Sequence, residues 1–304
     1  MGTPDFAVPA LDALAQSAHQ IVLVLTQPDR PRGRGRKLAA APVKRVAEHH
    51  RYPVFQPGSV KNGKALKQIE AAQADFLVVI AFGHVLPPAI LDIPKFGAIN
   101  CHASLLPKYR GPAPIQWAVI NGEEQTGVTT MMMNRGLDTG DILMMAKEPI
   151  GPEDTAGTLH DRLAVTAADL LIATLKGFAD NTLKPVEQDS DQATYAPLLR
   201  KSDGRISWRK PAVAIESFIR GVTPWPGAFT FHGGKRIKIF KSRPIDTRTV
   251  QPPGTVLESF PDELRVATGN GALSIQELQG ASGKRLAVED FLRGYPLSPG
   301  EQLH

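Results

Sequence analysis

The chain has 304 residues, 42% hydrophobic and 21% charged, which is typical of a globular protein and excludes disordered and fibrous classes. No apolar run reaches the roughly 18 residues of a membrane span, and the N-terminus lacks the basic flank and apolar core of a secretory signal. The single cysteine, Cys101, excludes an internal disulfide and a metal site built from several cysteines. These features predict a soluble, cytoplasmic protein long enough for two domains.

The net charge of +5 is concentrated in two regions that lie far apart in the sequence. Between Arg30 and Arg51 there are eight basic residues against one acidic residue, and between Arg200 and Arg248 there are twelve against three. Two such regions favour an extended anionic partner such as a nucleic acid. Two solvated basic faces without a partner would give the same pattern.

The first part of the chain alternates strand and helix patterns. Short apolar runs rich in β-branched residues predict strands, and apolar residues three or four apart predict helices. The predicted strands are 20–27, 75–83, 97–102 and 127–133, and the predicted helices are 4–17, 43–50, 64–72, 112–121 and 155–178. This alternation predicts an α/β fold with a doubly wound, mostly parallel sheet.

The motif "GTPDFA" at residues 2–7 has the composition of a turn that follows a first strand, yet no strand pattern precedes it. We therefore expect a strand upstream of Met1 in the native protein. Without that strand its two neighbours in the sheet would be unpaired, so we expect the chain as written to have low stability.

The pattern changes beyond residue 178. A polar stretch without periodicity predicts a linker at 185–202, between a catalytic domain at 1–184 and a C-terminal domain at 203–304. The C-terminal domain has one helix pattern, 211–221, and strand patterns at 228–232, 236–241, 254–258, 264–267 and 272–278. Short, closely spaced strands separated by Gly, Pro and Asp predict a small β-barrel or sandwich.

Two polar residues, Asn100 and His102, stand two apart at the end of the predicted strand 97–102. Residues two apart share one face of a strand, and parallel sheets bind ligands at the carboxyl ends of their strands, so both can point into one cleft. A histidine that moves protons usually needs a carboxylate beside it, and Asp138 or Asp141 in the loop "NRGLDTGD" can supply one. Without further evidence, the same residues are compatible with a purely structural strand end.

Several motifs, taken together, resemble the folate-dependent formyltransferases. They are "GTPDFAVPALDAL", "TQPDRPRGRGRKL", "INCHASLLPKYRG", "GPAPIQWAVINGE", "GLDTGDIL" and "TPWPGAF". The resemblance covers nearly the whole chain and indicates the branch of the family that formylates methionyl-initiator tRNA. It implies a Rossmann-like catalytic domain followed by an OB-like barrel. It also implies transfer of a formyl group from 10-formyltetrahydrofolate to the α-amino group of that tRNA's methionine.

The resemblance also assigns residues to roles. Asn100, His102 and Asp138 would be catalytic, and the segment "SLLP" (Ser104, Leu105, Leu106 and Pro107) would line the folate site. The residues implied in tRNA binding are Arg34, Arg36 and Lys37 in the basic loop and Lys235, Arg236 and Lys238 in the barrel. Cys101 would be a buried bystander, because strand alternation turns it to the opposite face.

The chemistry suits these residue types. Amine attack on a formyl carbonyl builds negative charge on its oxygen, and Asn100 with a protonated His102 can stabilise that charge. Asp138 would hold His102 in its productive orientation and assist proton movement through water. We expect no metal, because no pair of the eight histidines shows ligand spacing alongside carboxylates. We also expect a monomer.

Two other functions are compatible with the sequence. One is a folate-dependent transformylase that acts on a small nucleotide or sugar amine, although such a substrate needs neither the basic loop nor the barrel. The other is an RNA-binding protein whose active site is inert, although the presence of Asn100, His102 and Asp138 argues against that function.

Overall fold

The computed structural model describes residues 1–32, 37–260 and 263–304, with the backbone alone at 32, 37 and 258–260. The chain divides into two compact units. The first comprises Met1–Pro114, Gln125–Pro149 and His160–Ala196, and the second comprises Ile115–Glu124, Ile150–Leu159 and Pro197–His304. Residues 185–196 of the expected linker thus belong to the first unit, while the domain boundaries at 184 and 203 stay a prediction.

The elements up to residue 196 follow the predicted alternation of strands and helices. The strands are β1 (Val24–Leu25), β2 (Arg30–Arg32), β3 (Lys37–Ala39), β4 (Val54–Phe55), β5 (Leu77–Val79), β6 (Ala98–His102), β7 (Gln125–Met132) and β8 (Ile142–Pro149). The helices are α1 (Val8–Ala15), α2 (Pro42–His49), α3 (Gly63–Ala71), α4 (Pro88–Leu91), α5 (Pro114–Ile120) and α6 (Ala156–Ala179).

The sheet of the first unit is mixed. β1 pairs with β4 and β5 pairs with β6 in parallel, whereas β6–β7 and β7–β8 are antiparallel. The α/β fold class is confirmed, but five of the strands and helices given above were not predicted: β2, β3, β4, β8 and α4. β8 was not predicted because only one of its eight residues is buried, so its sequence lacks the apolar pattern of a core strand.

Met1 and Gly2 connect the two parallel parts of the sheet. The Gly2 amide donates to the Leu25 carbonyl at 3.0 Å, and the Ile80 amide donates to the Met1 carbonyl at 2.9 Å. A cavity of about 330 Å³ adjoins these residues, with apolar side chains such as Leu11 among its lining. The strand expected upstream stays a prediction.

The hydrophobic core described around β5 is formed where the parallel strands pack against α3 and α4. Its buried members are Leu25, Val60, Ile69, Leu77, Val79, Phe82, Leu86, Ile90, Leu91 and Ala98. These side chains fix the strand that carries the polar pair, because β6 pairs with β5 over residues 98–100. The packing thus sets the position of Asn100 and His102 at the end of β6.

The second unit is a curled antiparallel sheet with helices, as predicted for an OB-like domain. Its elements beyond residue 197 are α7 (Ala212–Gly221), β9 (Ala228–His232), β10 (Lys235–Ile245), β11 (Val256–Phe260), β12 (Glu263–Ala267), β13 (Ala272–Gln279), β14 (Leu286–Ala287) and α8 (Val288–Gly294). The strand order is β11-β12-β13-β10-β9, with β14 beside β13. Helix α7 contacts β10 and β13.

The C-terminal residues 300–304 link the two ends of this sheet. The Leu303 amide donates to the Gly254 carbonyl at 2.9 Å, next to β11. On the other side, His304 and Phe231 of β9 exchange two backbone hydrogen bonds of 2.8 and 2.9 Å. The tail therefore pairs with both outer strands of the sheet and closes its curl, with the Leu303 side chain buried.

We predict that Leu303→Ala lowers the unfolding free energy of the second unit by about 2–3 kcal/mol, the usual effect of truncating a buried leucine. Tryptophan fluorescence in a urea titration measures this, because Trp117, Trp208 and Trp225 all belong to the second unit. Val250→Ala is the control, since Val250 is fully exposed and should change the free energy by less than about 0.5 kcal/mol. Equal midpoints for the two variants would contradict the role of the tail.

Candidate active site

The end of β6 presents the predicted polar pair on one face. Asn100 is half-buried and His102 is 6% exposed, while Ile99 and Cys101 point to the buried opposite side. β6 lies between β5 and β7, so both neighbours hold its backbone in register. The two side chains therefore leave the sheet from a rigid element.

The hydrogen bonding of His102 defines which nitrogen is available for chemistry. Its Nε2 lies 2.8 Å from the carbonyl oxygen of Tyr109. Because a carbonyl oxygen only accepts, Nε2 must carry the hydrogen. Nδ1 then faces Asp138, at 3.7 Å from Oδ2, and is the atom that can gain or release a proton.

Of the two candidate acids, Asp138 lies beside the histidine. Its carboxylate accepts a hydrogen bond from the Gly111 amide at 2.9 Å and one from Asn100 Nδ2 at 3.3 Å. Its backbone is left-handed, with φ of 53°, which costs an L-residue about 1 kcal/mol and is best tolerated by Asp and Asn. Asp141 is exposed, and its carbonyl accepts the Met132 amide in the adjoining strand pair.

The segment "SLLP" forms a tight loop directly after β6. The Ser104 hydroxyl is fully buried and donates to the Lys108 carbonyl at 2.6 Å, and Leu106 is only 3% exposed. Leu105 and Pro107 are partly exposed. Ser104 and Leu106 are thus buried and stabilise the loop, whereas Leu105 and Pro107 are exposed enough to contact a ligand.

The basic residues predicted before residue 40 are only partly covered by the structure. Arg34 and Arg36 lie outside the described residues, as does the side chain of Lys37. The backbone of Lys37 belongs to β3, which pairs antiparallel with β2. The residues on either side of the expected basic loop, 30–32 and 37–39, therefore form a pair of antiparallel strands.

The basic residues of β10 do not share one face. Strand alternation places Arg236 and Lys238 on one side of β10 and Lys235 on the other. The Arg236 guanidinium lies 3.6 Å from the centre of the Phe229 ring, and Lys235 Nζ lies 5.7 Å from that of Tyr295. Both cations are held over aromatic rings, an arrangement that restricts their motion while the charge stays available.

Two side chains that support the backbone of Asp138, Gln188 and Arg110, were not identified from the sequence. Gln188 donates to the backbone carbonyl of Asp138 at 2.9 Å and is 6% exposed. The Arg110 guanidinium donates to Gln188 Oε1 at 3.0 and 2.8 Å. Gln188 lies in a polar stretch without periodicity, so no pattern in the sequence distinguishes it from a surface residue.

The described residues contain no group of three or more His, Cys, Asp or Glu side chains placed to hold a metal ion. Within the same residues, no helix has the length and apolar character needed to span a bilayer. The described side chains of the site lie on β6, on the loop that follows it and on the turn between β7 and β8.

Comparison with known proteins identifies the family. Residues 1–175 match the formyl transferase family model, and residues 198–296 match the model of the formyl transferase C-terminal domain. The methionyl-tRNA formyltransferase of Citrifermentans bemidjiense is 49% identical over 300 residues, which covers 99% of this chain and 94% of that protein. The chain belongs to the formyl transferase family, among the methionyl-tRNA formyltransferases. The predicted enzyme class is thereby confirmed.

Two solved structures share the fold of this formyl transferase at low sequence identity. The Helicobacter canadensis N-formyltransferase, in complex with folinic acid and dTDP-3-aminofucose, has a TM-score of 0.67 at 18% identity and covers 94% of this chain and 97% of that one. HypX from Aquifex aeolicus, in complex with tetrahydrofolic acid, has a TM-score of 0.59 at 17% identity and covers 85% of this chain and 45% of that one. Both support the predicted two-part architecture.

We predict that the thiol of Cys101 is inert in the folded protein, although it lies between two site residues. Burial raises the pKa of Cys101 to about 12, so about one thiol in 10,000 is ionised at pH 8. Alkylation by iodoacetamide at pH 8 should therefore be at least about 100-fold slower than in guanidinium chloride, where the pKa returns to about 8.5. Similar rates in both solutions would show that the thiol is accessible.

Proposed function

We propose that this chain transfers the formyl group of 10-formyltetrahydrofolate to the α-amino group of methionyl-initiator tRNA. The observation that carries the proposal is the 49% identity, over nearly the full chain, to a methionyl-tRNA formyltransferase. The folate donor is supported by two proteins of the same fold, one in complex with folinic acid and one with tetrahydrofolic acid. We also propose that the protein acts in the cytoplasm as a monomer.

The proposed reaction joins the amine nitrogen to the formyl carbon and breaks the bond between that carbon and the folate nitrogen. The amine loses a proton and the folate nitrogen gains one, so no covalent intermediate with the protein is required. As the amine attacks, negative charge develops on the formyl oxygen. Catalysis then needs hydrogen-bond donors for that oxygen and a group that handles protons.

Asn100 and His102 are the proposed catalytic residues for these tasks. The Asn100 amide has two N–H groups and directs one to Asp138, so the other can donate to the developing oxyanion. With Nε2 committed to the Tyr109 carbonyl, His102 exchanges protons through Nδ1. Asp138 holds the Asn100 amide and faces Nδ1, so one carboxylate orients both groups.

The tRNA is proposed to contact the basic residues of both regions. Lys235, Arg236 and Lys238 would bind backbone phosphates, which positions an RNA without reading its sequence. Arg34, Arg36 and Lys37 are proposed to contact the same RNA. Leu105 and Pro107 are the members of "SLLP" proposed to contact the folate.

We predict that His102→Ala lowers the rate of formyl transfer by about 10²–10⁴-fold, because proton transfer loses its catalyst. Asn100→Ala should lower the rate by about 10²–10³-fold through loss of an oxyanion donor. The measurement is formylation of methionyl-initiator tRNA with 10-formyltetrahydrofolate. Cys101→Ala is the matched control, since it changes the residue between the two and should retain most of the activity.

A wild-type protein that formylates a sugar amine or a nucleotide amine but no methionyl-tRNA would overturn the proposed substrate. A wild-type protein that binds the tRNA and formylates none of these amines would overturn the proposed reaction.

We predict that replacing both Lys235 and Lys238 by Gln weakens tRNA binding and makes it less sensitive to salt. Losing two phosphate contacts should reduce the slope of log K against log salt concentration by about 1.5. The control replaces Lys64 and Lys67 by Gln, which removes the same charge from the exposed face of α3. Equal slopes for both double variants would show that only net charge matters.

A further inference from the structure

We propose that Gln188 is a positioning residue that sets the conformation of Asp138, with Arg110 holding Gln188 in place. The inference rests on the proposed function, because it assigns a role in the reaction attributed to Asn100, His102 and Asp138. It concerns a side chain in a segment whose sequence is typical of a linker.

Every hydrogen-bonding position of the Gln188 amide is used. Nε2 donates to the carbonyl of Asp138 at 2.9 Å and to that of Gly140 at 2.7 Å. Oε1 accepts two hydrogen bonds from the Arg110 guanidinium, at 3.0 and 2.8 Å. The side chain is 6% exposed, so leaving any of these groups unpaired would be costly. Only an amide both donates to two carbonyls and accepts from a guanidinium here.

The contact falls at one of the residues of the site whose backbone is left-handed. Asp138 has a left-handed backbone, with φ of 53°, and this conformation aims its carboxylate at the Gly111 amide and at Asn100. Gln188 bonds the carbonyl of Asp138 itself and that of Gly140 two residues later. These two hydrogen bonds hold the backbone of the turn on both sides of Thr139.

Arg110 completes a closed ring of contacts. It directly precedes Gly111, whose amide donates to the Asp138 carboxylate at 2.9 Å. The loop after β6 therefore contacts Asp138 twice, once through the Gly111 amide and once through Arg110 and Gln188. The carboxylate of Asp138 and its backbone carbonyl are thus both connected to the loop after β6. Movement of the Asp138 side chain or of its backbone would therefore break contacts with the same loop.

The segment that carries Gln188, residues 186–196, is itself fixed to both loops. Val186 exchanges two backbone hydrogen bonds with Ile142 at the start of β8, at 2.8 and 2.9 Å. Thr194 accepts the Arg110 amide through its carbonyl at 2.9 Å, and its hydroxyl accepts the Tyr109 amide at 2.8 Å. The Tyr109 carbonyl in turn accepts His102 Nε2–H. The segment therefore supports the orientation of both the acid and the histidine.

The test replaces Gln188 by Glu, which can still accept from Arg110 but has no hydrogen for the carbonyls of Asp138 and Gly140. We expect kcat for formyl transfer to fall by about 10- to 100-fold, as for a misplaced catalytic group, with KM for tRNA and folate changed less than about threefold. Gln188→Leu should behave alike. Gln192→Glu is the matched control, because Gln192 is an exposed residue of the same segment and should leave kcat within about twofold of wild type.

A double-mutant cycle with Asp138→Asn separates positioning from a general structural effect. If Gln188 acts through Asp138, Gln188→Glu should reduce kcat by less than about threefold in the Asp138→Asn background. The same loss in both backgrounds would overturn the inference. So would wild-type kcat in both Gln188 variants, or failure of both to fold.

Amide hydrogen exchange of Gly111, measured by NMR, gives a readout that does not depend on activity. Its amide donates to the Asp138 carboxylate, so exchange should accelerate at least about tenfold in Gln188→Glu and remain unchanged in Gln192→Glu. Unchanged exchange in Gln188→Glu would overturn the inference. If the wild-type protein formylates no methionyl-tRNA, the proposed function fails, and the exchange of Gly111 still decides whether Gln188 positions Asp138.

Discussion

The carboxylate of Asp138 is the group on which the arrangement of the site depends. It accepts hydrogen bonds from the Gly111 amide and from Asn100, and it faces His102 Nδ1 at 3.7 Å. Its partners lie on β6 and the loop that follows it, whereas Asp138 belongs to the turn between β7 and β8. One carboxylate therefore links two chain segments: it hydrogen-bonds the Asn100 amide and lies beside the imidazole of His102, whose other nitrogen is fixed by the Tyr109 carbonyl.

This arrangement is stable because the polar groups of the site are paired. The Asp138 side chain is 14% exposed, and a carboxylate with so little contact with water needs hydrogen-bond donors to offset its lost hydration. The Gly111 amide and the Asn100 side chain supply them. The left-handed backbone of Asp138 adds a cost of about 1 kcal/mol, which its fixed hydrogen bonds offset. The conformation of Asp138 is thus maintained by its hydrogen bonds to Gly111 and Asn100, against the backbone preference of the residue itself.

The two units contribute different physical properties. The first unit holds a half-buried cluster of titratable and amide groups at a strand end, where hydrogen bonds are strong and directional. The second unit is a curled sheet closed by residues 300–304, and its strand β10 carries cations stacked on aromatic rings. Directional bonds suit chemistry at one carbonyl, and several cations on one strand suit a long polyanion, as the proposed function requires.

The sequence was sufficient to predict the elements whose patterns are local. The bounds of β9 agree with the predicted 228–232, and α6 and α7 differ from prediction by about one residue, because apolar periodicity records which face is buried. The fold class and the enzyme class were also predicted, the latter through the family resemblance. β8 and the hairpin of β2 and β3 were missed, because strands with little buried surface leave no apolar pattern.

By itself the sequence determined that Asn100 and His102 share a face, since alternation along a strand is a local property. It left Asp138 and Asp141 equivalent in chemistry and spacing, apart from the family resemblance, and it gave no sign of Gln188. Only the tertiary structure decided these points. The turn after β7 brings one carboxylate to His102, and residues 186–196 return to hydrogen-bond that turn across a separation of 50 residues. Contacts between residues so far apart in the chain depend on packing and topology, and no local pattern encodes them.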